Sequence, residues 1–239
     1  MNESSLWEKL NNARNNQPDA KWLREVYSPN LSYELRMAIA EKLGLLDESG
    51  WLTLLSLYKQ FGAQPEFIHA AGFCHQPEAR EWLLSLLKEQ KEFELLILQA
   101  LGCWGASLPT SMIKDILKKP ELEKRLAGIT LLSFKAHQLS DKELLELTEE
   151  LVDDFREPIV IATIKILQRR EGVDICKIIA KIVQQGTDST AQSAIMALGS
   201  MGTVTSHQML SKLNGTLAEG ERLKLVKKQI IHQYRFSKR

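Results

Sequence analysis

Hydrophobic residues recur with a helical period along most of the chain. The clearest example is the segment 191–210, where four apolar residues form one helical stripe at positions i, i+3, i+4 and i+7: Ala191, Ala194, Ile195 and Leu198. Gly199 follows directly, and we expect it to end this helix in the left-handed conformation that glycine tolerates. A second helix is predicted to begin near Ser206. Alternating apolar and polar runs with hairpin turns are absent, so strands are not expected.

The same pattern occurs at regular intervals through the chain. Apolar residues precede a small or polar residue at positions 44, 72, 102, 133, 168 and 199, so the intervals are 28, 30, 31, 35 and 31 residues. Glycine stands at four of these positions, while Ser133 and Gln168 replace it at the other two. A period near 30 residues with two short helices in each unit predicts an α-solenoid.

Capping signals predict where the helices begin and how the repeats are divided. Five prolines are expected at helix starts, where a missing N–H costs least: Pro65, Pro77, Pro109, Pro120 and Pro158. Ser140 and Glu143 fit a capping box that opens a helix to about Asp154. We predict a single domain, 1–239, with six repeats at 30–62, 63–90, 91–119, 120–155, 156–186 and 187–214. Residues 1–29 are predicted to form an N-terminal helical cap, and 215–239 a basic C-terminal capping helix.

Two kinds of segment resemble a known repeat. Residues 72–79, Gly-Phe-Cys-His-Gln-Pro-Glu-Ala, and the leucine-rich run after them resemble the turn and second helix of the phycobilisome (PBS) lyase HEAT-like repeat. Residues 36–44 and 194–199 resemble its first helix, and the resemblance extends from 30 to about 214. It implies an all-α, right-handed solenoid of about six HEAT-like repeats with a capping helix at each end. It also implies a cyanobacterial source and a role as a lyase subunit, a phycobilisome-disassembly protein or a chaperone-like factor.

Composition and charge narrow the class of partner. The chain has 31 Lys and Arg against 30 Asp and Glu, so it lacks the basic excess of most nucleic-acid-binding proteins. Three cysteines without a disulfide or zinc spacing favour a reducing cytoplasm. The first residues do not have the pattern of a signal peptide, and no apolar run is long enough for a membrane span. We therefore expect a cytoplasmic protein, and the sequence leaves its oligomeric state open.

The sequence contains no motif that identifies an enzyme. None of the five histidines is followed by Glu, as the two-iron hydroxylases of HEAT type would require. Phosphate loops, dinucleotide fingerprints and a convincing Ser-His-Asp set are also absent. The five tryptophans lie in the first 104 residues and are expected to pack in the first repeats rather than to form a DNA-binding groove. We expect no catalytic residue, and any activity would be of the bilin-lyase type.

One cluster of thiols and imidazoles is a candidate ligand site. Cys74 and His75 follow Gly72, Cys103 follows Gly102, and His69 lies nearby in the sequence. Because these are neighbouring turns of adjacent repeats, the side chains could meet on one edge of the stack. We expect small, half-buried thiols that hold no metal, and the alternative is a metal site or a contact to a bilin. Cys176 is expected in the core.

Charged residues suggest where a partner binds. The segment 141–157 holds eight acids and two bases, with Glu143, Glu146 and Glu150 on one helical face. This face is either solvated or binds a partner, and the basic C-terminal helix either caps the fold or contacts an acidic partner or RNA. Second helices usually line the concave face of a HEAT solenoid. Our predicted partner contacts are the exposed positions of these helices: Tyr58, Arg80, Glu81, Lys114, Lys118, Glu146, Glu150 and Lys177.

These observations support three hypotheses. The first is a non-catalytic scaffold or chaperone-like adaptor that binds a protein, such as a helical client, and needs no cofactor. The second is a bilin lyase subunit or bilin-detaching factor, which would hold a tetrapyrrole beside a phycobiliprotein and act through proximity. The third is nucleic-acid binding through the basic C-terminal helix.

Overall fold

The chain is helical throughout its described part. The computed structural model describes residues 2–12 and 18–236, and at positions 103, 235 and 236 it describes the backbone alone. These residues contain fifteen α-helices, three short 3-10 helices and no strand. The helices group into two compact units, residues 1–108 and 109–239. The prediction of one continuous domain with the repeat boundaries given above stays a prediction.

The first unit contains seven of these helices. They are α1 (Glu3–Asn11), α2 (Ala20–Val26), α3 (Tyr33–Gly44), α4 (Asp47–Phe61), α5 (Pro65–Ala71), α6 (Pro77–Glu89) and α7 (Glu94–Ala100). The helices α3, α5 and α7 stack on one another in chain order, and α2 packs against α4. The first helices of successive pairs therefore form one layer, as in a solenoid.

The second unit repeats this arrangement. Its helices are α8 (Thr110–Leu117), α9 (Leu122–Lys135), α10 (Asp141–Val152), α11 (Glu157–Leu167), α12 (Val173–Gln185), α13 (Asp188–Met201), α14 (Val204–Thr216) and α15 (Glu221–Phe236). The layer of first helices runs α9, α11, α13, α15, while α10 packs against α12 and α12 against α14. The predicted all-α solenoid with terminal capping helices is confirmed.

The predicted apolar stripes form the core of both units. In the first unit, Ile39 and Leu43 of α3 and Phe67 and Ile68 of α5 are at most 1% exposed. The stripe of α13 is equally buried, as are the stripes of α7, α9 and α11. The 3.6-residue period therefore identified the face that each first helix turns toward its neighbours.

The recurring glycines have a different role from the one predicted. Gly199 lies inside α13, which continues to Met201, and Gly202 takes the left-handed conformation with φ of 63°. A Cβ at Gly199 would stand 2.1 Å from Gln229 Oε1 of α15. Gly44 and Gly72 lie against backbone instead of a side chain, because their Cβ atoms would stand 2.5 and 2.8 Å from carbonyl oxygens of the next first helix. These glycines let successive first helices approach closely, and the predicted cap at Gly199 is wrong.

Three of the five proline signals mark helix starts as predicted. Pro65 and Pro77 open α5 and α6, and Pro158 lies in the first turn of α11. Pro109 precedes the first residue of α8, and Pro120 lies two residues before α9, so those two starts were predicted slightly early.

The capping box between Ser140 and Glu143 is present, and it opens α10 as predicted. The helix ends at Val152 instead of at about Asp154. The reason is that the Asp154 carboxylate accepts hydrogen bonds from the backbone N–H and the guanidinium of Arg156 in the turn that leads to α11.

Arginines join the turns of the second unit. Asp154, whose side chain is 3% exposed, lies between Arg125 at 2.6 Å and Arg156 at 2.8 Å. Both guanidinium groups also donate to backbone carbonyls of the turn before α9, at Lys119 and Pro120. The hydrogen bonds that Arg156 and Arg125 donate to the Asp154 carboxylate stabilise its charged form, and they hold its pKa well below the usual range.

A buried acid of α5 joins the turn after α2 to helix α3. Glu66 of α5 is 0% exposed and accepts a hydrogen bond of 2.8 Å from the Tyr27 hydroxyl. Arg36 Nε of α3 lies 3.3 Å from the same carboxylate oxygen, an ion pair without hydrogen-bond alignment. Burial and the hydrogen bond to Glu66 raise the pKa of Tyr27 above its ordinary value.

Candidate functional site

Four of the eight predicted partner contacts line one groove in the second unit. This α8–α10 groove has a volume of about 190 Å³ and lies between Lys114 and Lys118 of α8 on one side and Glu146 and Glu150 of α10 on the other. All four residues are exposed. Leu117, Leu147 and Leu151 also line the groove. The prediction that these side chains face solvent on neighbouring second helices therefore agrees with their positions, and their role in binding stays a prediction.

A larger groove lies on the other side of α10. This α10–α12 groove has a volume of about 790 Å³, and both apolar and charged residues line it. Five apolar residues line it: Leu145, Val152, Val173, Ile175 and Ile178. Glu146 and Glu149 line both grooves, so α10 forms a ridge between them. Lys177 is exposed on α12 and pairs with Asp174 at 2.8 Å, at the border of this groove.

The two helices that form the larger groove run in the same direction. At one end, Gly172 at the N-cap of α12 lies beside Asp141, the first residue of α10. At the other end, Asp153 just after α10 pairs with Lys181 of α12 at 3.0 Å. Because α10 has 12 residues, the groove is about 18 Å long.

An exposed aromatic ring lies beyond the end of the α10–α12 groove that Asp153 and Lys181 form. A third cavity of about 220 Å³ shares Val152, Asp153 and Lys181 with the α10–α12 groove and includes Phe155. Phe155 is 89% exposed, and its ring lies 5.1 Å from the Arg156 guanidinium. Sequence reasoning missed this residue, because an aromatic side chain next to a predicted helix end gives no sign of whether it is buried.

The other three predicted contacts lie in the first unit, and two of them are less accessible. Tyr58 is half-buried and packs edge-on against Trp82, whose ring also contacts Trp51. Arg80 lies over the ring of Trp104 and pairs with Glu81 at 2.6 Å. Glu81 is exposed, whereas the side chain of Arg80 is only 25% exposed. Tyr58 and Arg80 therefore contribute to packing of the first unit.

The predicted thiol and imidazole cluster has one fully buried member. Cys74 is 0% exposed, and burial together with the charge of Asp47 raises the pKa of its thiol to about 12. Nε2 of His69 lies 3.1 Å from Oε1 of Glu41, while the side chain of His75 is exposed. The side chain of Cys103 lies outside the described part of the chain, so a meeting of the two thiols stays a prediction. Among the described residues, no three His, Cys, Asp or Glu side chains are placed to hold a metal ion.

The acidic face of α10 includes one residue that caps the helix and two that do not. Glu143 belongs to the capping box, and the hydrogen bonds from the backbone and hydroxyl of Ser140 lower its pKa. Glu146 and Glu150 are exposed and not part of this cap. The predicted face therefore divides into one capping residue and two residues that rim the grooves.

The basic C-terminal helix is partly used by the fold. Arg222 donates to the carbonyl oxygens of Val183 and Gly186 at 3.0 and 2.9 Å, and it pairs with Asp188 at 2.8 Å. Lys224 pairs with Glu221 at 2.6 Å, and this hydrogen bond raises its pKa. The capping role predicted for this helix agrees with these contacts. Arg235 has an undescribed side chain, and Lys238 and Arg239 lie outside the described residues.

Within residues 2–12 and 18–236, none of the helices combines the length and the apolar character that crossing a bilayer would require.

Comparison with known proteins identifies a likeness in fold. No family model matches the sequence, and no curated protein sequence matches it. The chain is similar to a chain in the structure of the complex of CpcE and CpcF of phycocyanin lyase from Nostoc sp. PCC7120, with 12% identity and a TM-score of 0.51. The match covers 91% of this chain and 95% of that chain. This likeness supports the helical solenoid fold.

A second solved structure is more distant. Human deoxyhypusine hydroxylase in complex with glycerol matches with 12% identity over 100% of this chain and 91% of that chain. Its TM-score is 0.41, which is too low to support a conclusion about this protein.

Proposed function

We propose that this chain is a helical-repeat scaffold that binds another protein through the second helices of residues 109–239. The observation that carries the proposal is the pair of adjacent grooves on either side of α10, each with leucine or isoleucine in its lining and charged residues at its rim. We call the exposed faces of α8, α10 and α12 the second-helix surface. Apolar area of this kind provides affinity in protein interfaces, and the surrounding charges provide specificity.

The distribution of perturbed groups favours binding over catalysis. Functional acids and bases are usually found in clefts with shifted pKa values. Here the largest shifts occur at Tyr27, Cys74 and Asp154, and each has a structural cause. Tyr27 bonds to a buried acid, Cys74 lies in the core, and Asp154 is held between two arginines. Because packing explains these shifts, the second-helix surface is better suited to binding a partner than to catalysis.

Site-specific photo-crosslinking in the native host tests the proposal. A photoreactive amino acid replaces Lys118 in the α8–α10 groove, and in a matched strain it replaces Lys165, an exposed lysine of the first-helix layer on α11. We expect one defined protein adduct from position 118 and a weaker or different pattern from position 165. Equal adducts at the two positions, or none at either, would contradict the proposal.

A second candidate is a role in bilin attachment or removal on phycobiliproteins. It is supported by the similarity in fold to a chain of the phycocyanin lyase complex over nearly the whole of both chains. In this role the scaffold would hold a tetrapyrrole and an apo-protein together, so that proximity and orientation promote the reaction. The protein partner of the first proposal would then be the bilin-carrying client.

Absorbance spectroscopy distinguishes the second candidate. A free bilin is mixed with the purified protein, and the mixture is separated by size exclusion. A shifted visible band that elutes with the protein is expected if the chain holds a bilin. The His75→Ala variant tests the exposed imidazole of the predicted cluster. A bilin that elutes entirely with the small molecules rules out this role and leaves the scaffold proposal intact.

A further inference from the structure

We propose that the α10–α12 groove binds an amphipathic helix, about three turns long, from the partner protein, with basic residues flanking its apolar stripe. This inference rests on the proposed scaffold function, and it specifies the binding site and the chemistry of the partner.

The length of the groove suits a short bound helix. It runs for about 18 Å between two parallel helices, and about 12 helical residues span that length. Its accessible apolar residues come from both walls, with Leu145 on α10 and Ile178 on α12. Rows of side chains on one helix pack into grooves formed by others, so a helix with an apolar stripe fits this surface.

The apolar lining is partly open to solvent. Val173 at the start of α12 is 51% exposed, and Phe155 beyond the opposite end is 89% exposed. Exposed apolar residues at both ends of a groove extend the area that a partner can cover. A helix that lies along the groove with its end at Phe155 would bury both side chains.

The residues that line the groove include more acids than bases. Five acids and two lysines line it: Asp141, Glu146, Glu149, Asp153, Asp174, Lys142 and Lys181. Lys181 pairs with Asp153, and Lys142 lies 4.0 Å from Glu146. Outside the lining, Arg170 pairs with Asp141 and Lys177 with Asp174.

These pairs leave an acidic excess on α10. Glu149, on the ridge between the grooves, is an exposed acid beyond the four acids already paired, and Glu150 lies next to it. Complementary charge on the partner orients binding and speeds association. Basic residues beside the apolar stripe of a partner helix therefore fit this groove better than acidic ones.

A designed peptide tests the charge and shape requirement directly. The probe is a fluorescent helical peptide of about 14 residues, with leucines at i, i+3, i+4 and i+7 positions and lysines elsewhere. Two control peptides carry glutamate in place of lysine, or the same residues in an order without an apolar stripe. We expect fluorescence anisotropy to show binding of the lysine peptide alone, weakening as salt is raised.

Protein variants locate the binding to the groove. Ile178→Asn removes part of the apolar lining, and Glu149→Lys reverses a rim charge; each should weaken binding about tenfold or more. Glu219→Lys makes the same charge change at an exposed turn before α15 and should bind within about twofold of the parent. Circular dichroism and thermal unfolding confirm that each variant folds.

The outcomes separate this inference from the scaffold proposal. The inference is overturned if the glutamate or scrambled peptide binds equally well, if no peptide binds, or if groove and control variants weaken binding alike. Crosslinking from position 118 does not depend on these peptides. A defined protein adduct there with no peptide binding would reject the basic helix and retain the scaffold.

Discussion

Gly44 of α3 lies directly against the backbone of α5 at Ala70. A Cβ at position 44 would stand 2.5 Å from the Ala70 carbonyl oxygen and 3.2 Å from its carbonyl carbon. Backbone atoms cannot rotate away as a side-chain end can, so any larger residue at position 44 must move one first helix relative to the other.

The Gly44→Ala variant should therefore be less stable than the parent. We expect a decrease of about 2 kcal/mol in the free energy of unfolding, because overpacking between well-packed elements costs this much. Urea denaturation followed by circular dichroism measures it. The control is Gly215→Ala in α14, where a Cβ has no neighbour within 4 Å and alanine favours the helix. Equal stability of the two variants would contradict the close-approach role of Gly44.

The pH dependence of stability should depend on Asp154. Arg156 and Arg125 lower the pKa of this carboxyl in the folded state, so its stabilising contribution is complete above the unfolded pKa of about 3.9. The contribution is lost as the pH falls below that value toward the folded pKa. We expect Asp154→Asn to lower stability by about 2 kcal/mol at pH 7, since it removes the charge-assisted hydrogen bonds that two partly buried guanidinium groups donate to the carboxylate.

Thermal unfolding between pH 2 and pH 7 checks this expectation. The difference between the parent and Asp154→Asn should shrink as the acid limit is approached. Asp115→Asn, a change at an exposed acid of α8, serves as the control and should leave the profile unchanged. A constant difference across the whole range would show that the carboxyl charge is not the stabilising feature.

The two described cysteines should be unreactive in the folded protein. Burial raises the thiol pKa of Cys74 to about 12 and also raises that of Cys176, so neither forms an appreciable amount of thiolate near pH 8. A thiol reagent added to a Cys103→Ser variant should label no site in buffer and both remaining thiols in denaturant. Rapid labelling of one thiol in buffer would show that the core opens there, and would revive a chemical role for Cys74.

The fold should depend on Arg222 more than on the other basic residues of α15. Its guanidinium satisfies the carbonyl groups of Val183 and Gly186 at the end of α12. Arg222→Ala should cost about 1–3 kcal/mol, because those carbonyls lose their donor while remaining partly buried. Lys228→Ala, at an exposed position of the same helix, should have little effect on the unfolding midpoint. Similar losses from both variants would argue against the tie between α15 and α12.

The helical pattern was sufficient to predict the fold because burial imposes the same period on every first helix. Ile39 and Leu43, or Ala194 and Leu198, could be assigned to the core from spacing alone. The role of Gly199 could not be assigned in this way. A glycine at a helix end and a glycine at a helix crossing give the same sequence pattern. The continuation of α13 to Met201 and the contact with Gln229 distinguish them in the structure.

The exposure of individual side chains on the second helices could be predicted only in part. Periodicity placed Lys114 and Glu150 on exposed faces, and the structure brings them to one groove. The same argument placed Tyr58 outside, where Trp82 covers part of its ring. Packing between large aromatic side chains of neighbouring helices depends on helix rotation, which a period of 3.6 residues fixes only to within a position or so.

The pairing of Glu66 with Tyr27 bears on how the chain can be divided. The repeat pattern suggests that a fragment beginning near residue 30 would be a natural module. Such a fragment would keep the buried carboxylate of Glu66 beside Arg36 and lose the Tyr27 hydroxyl, so a buried carboxylate would lose its hydrogen-bond donor. We therefore expect a stable fragment at this end to include Tyr27 and the preceding helix α2, so the unit that can be excised is longer than the sequence repeat.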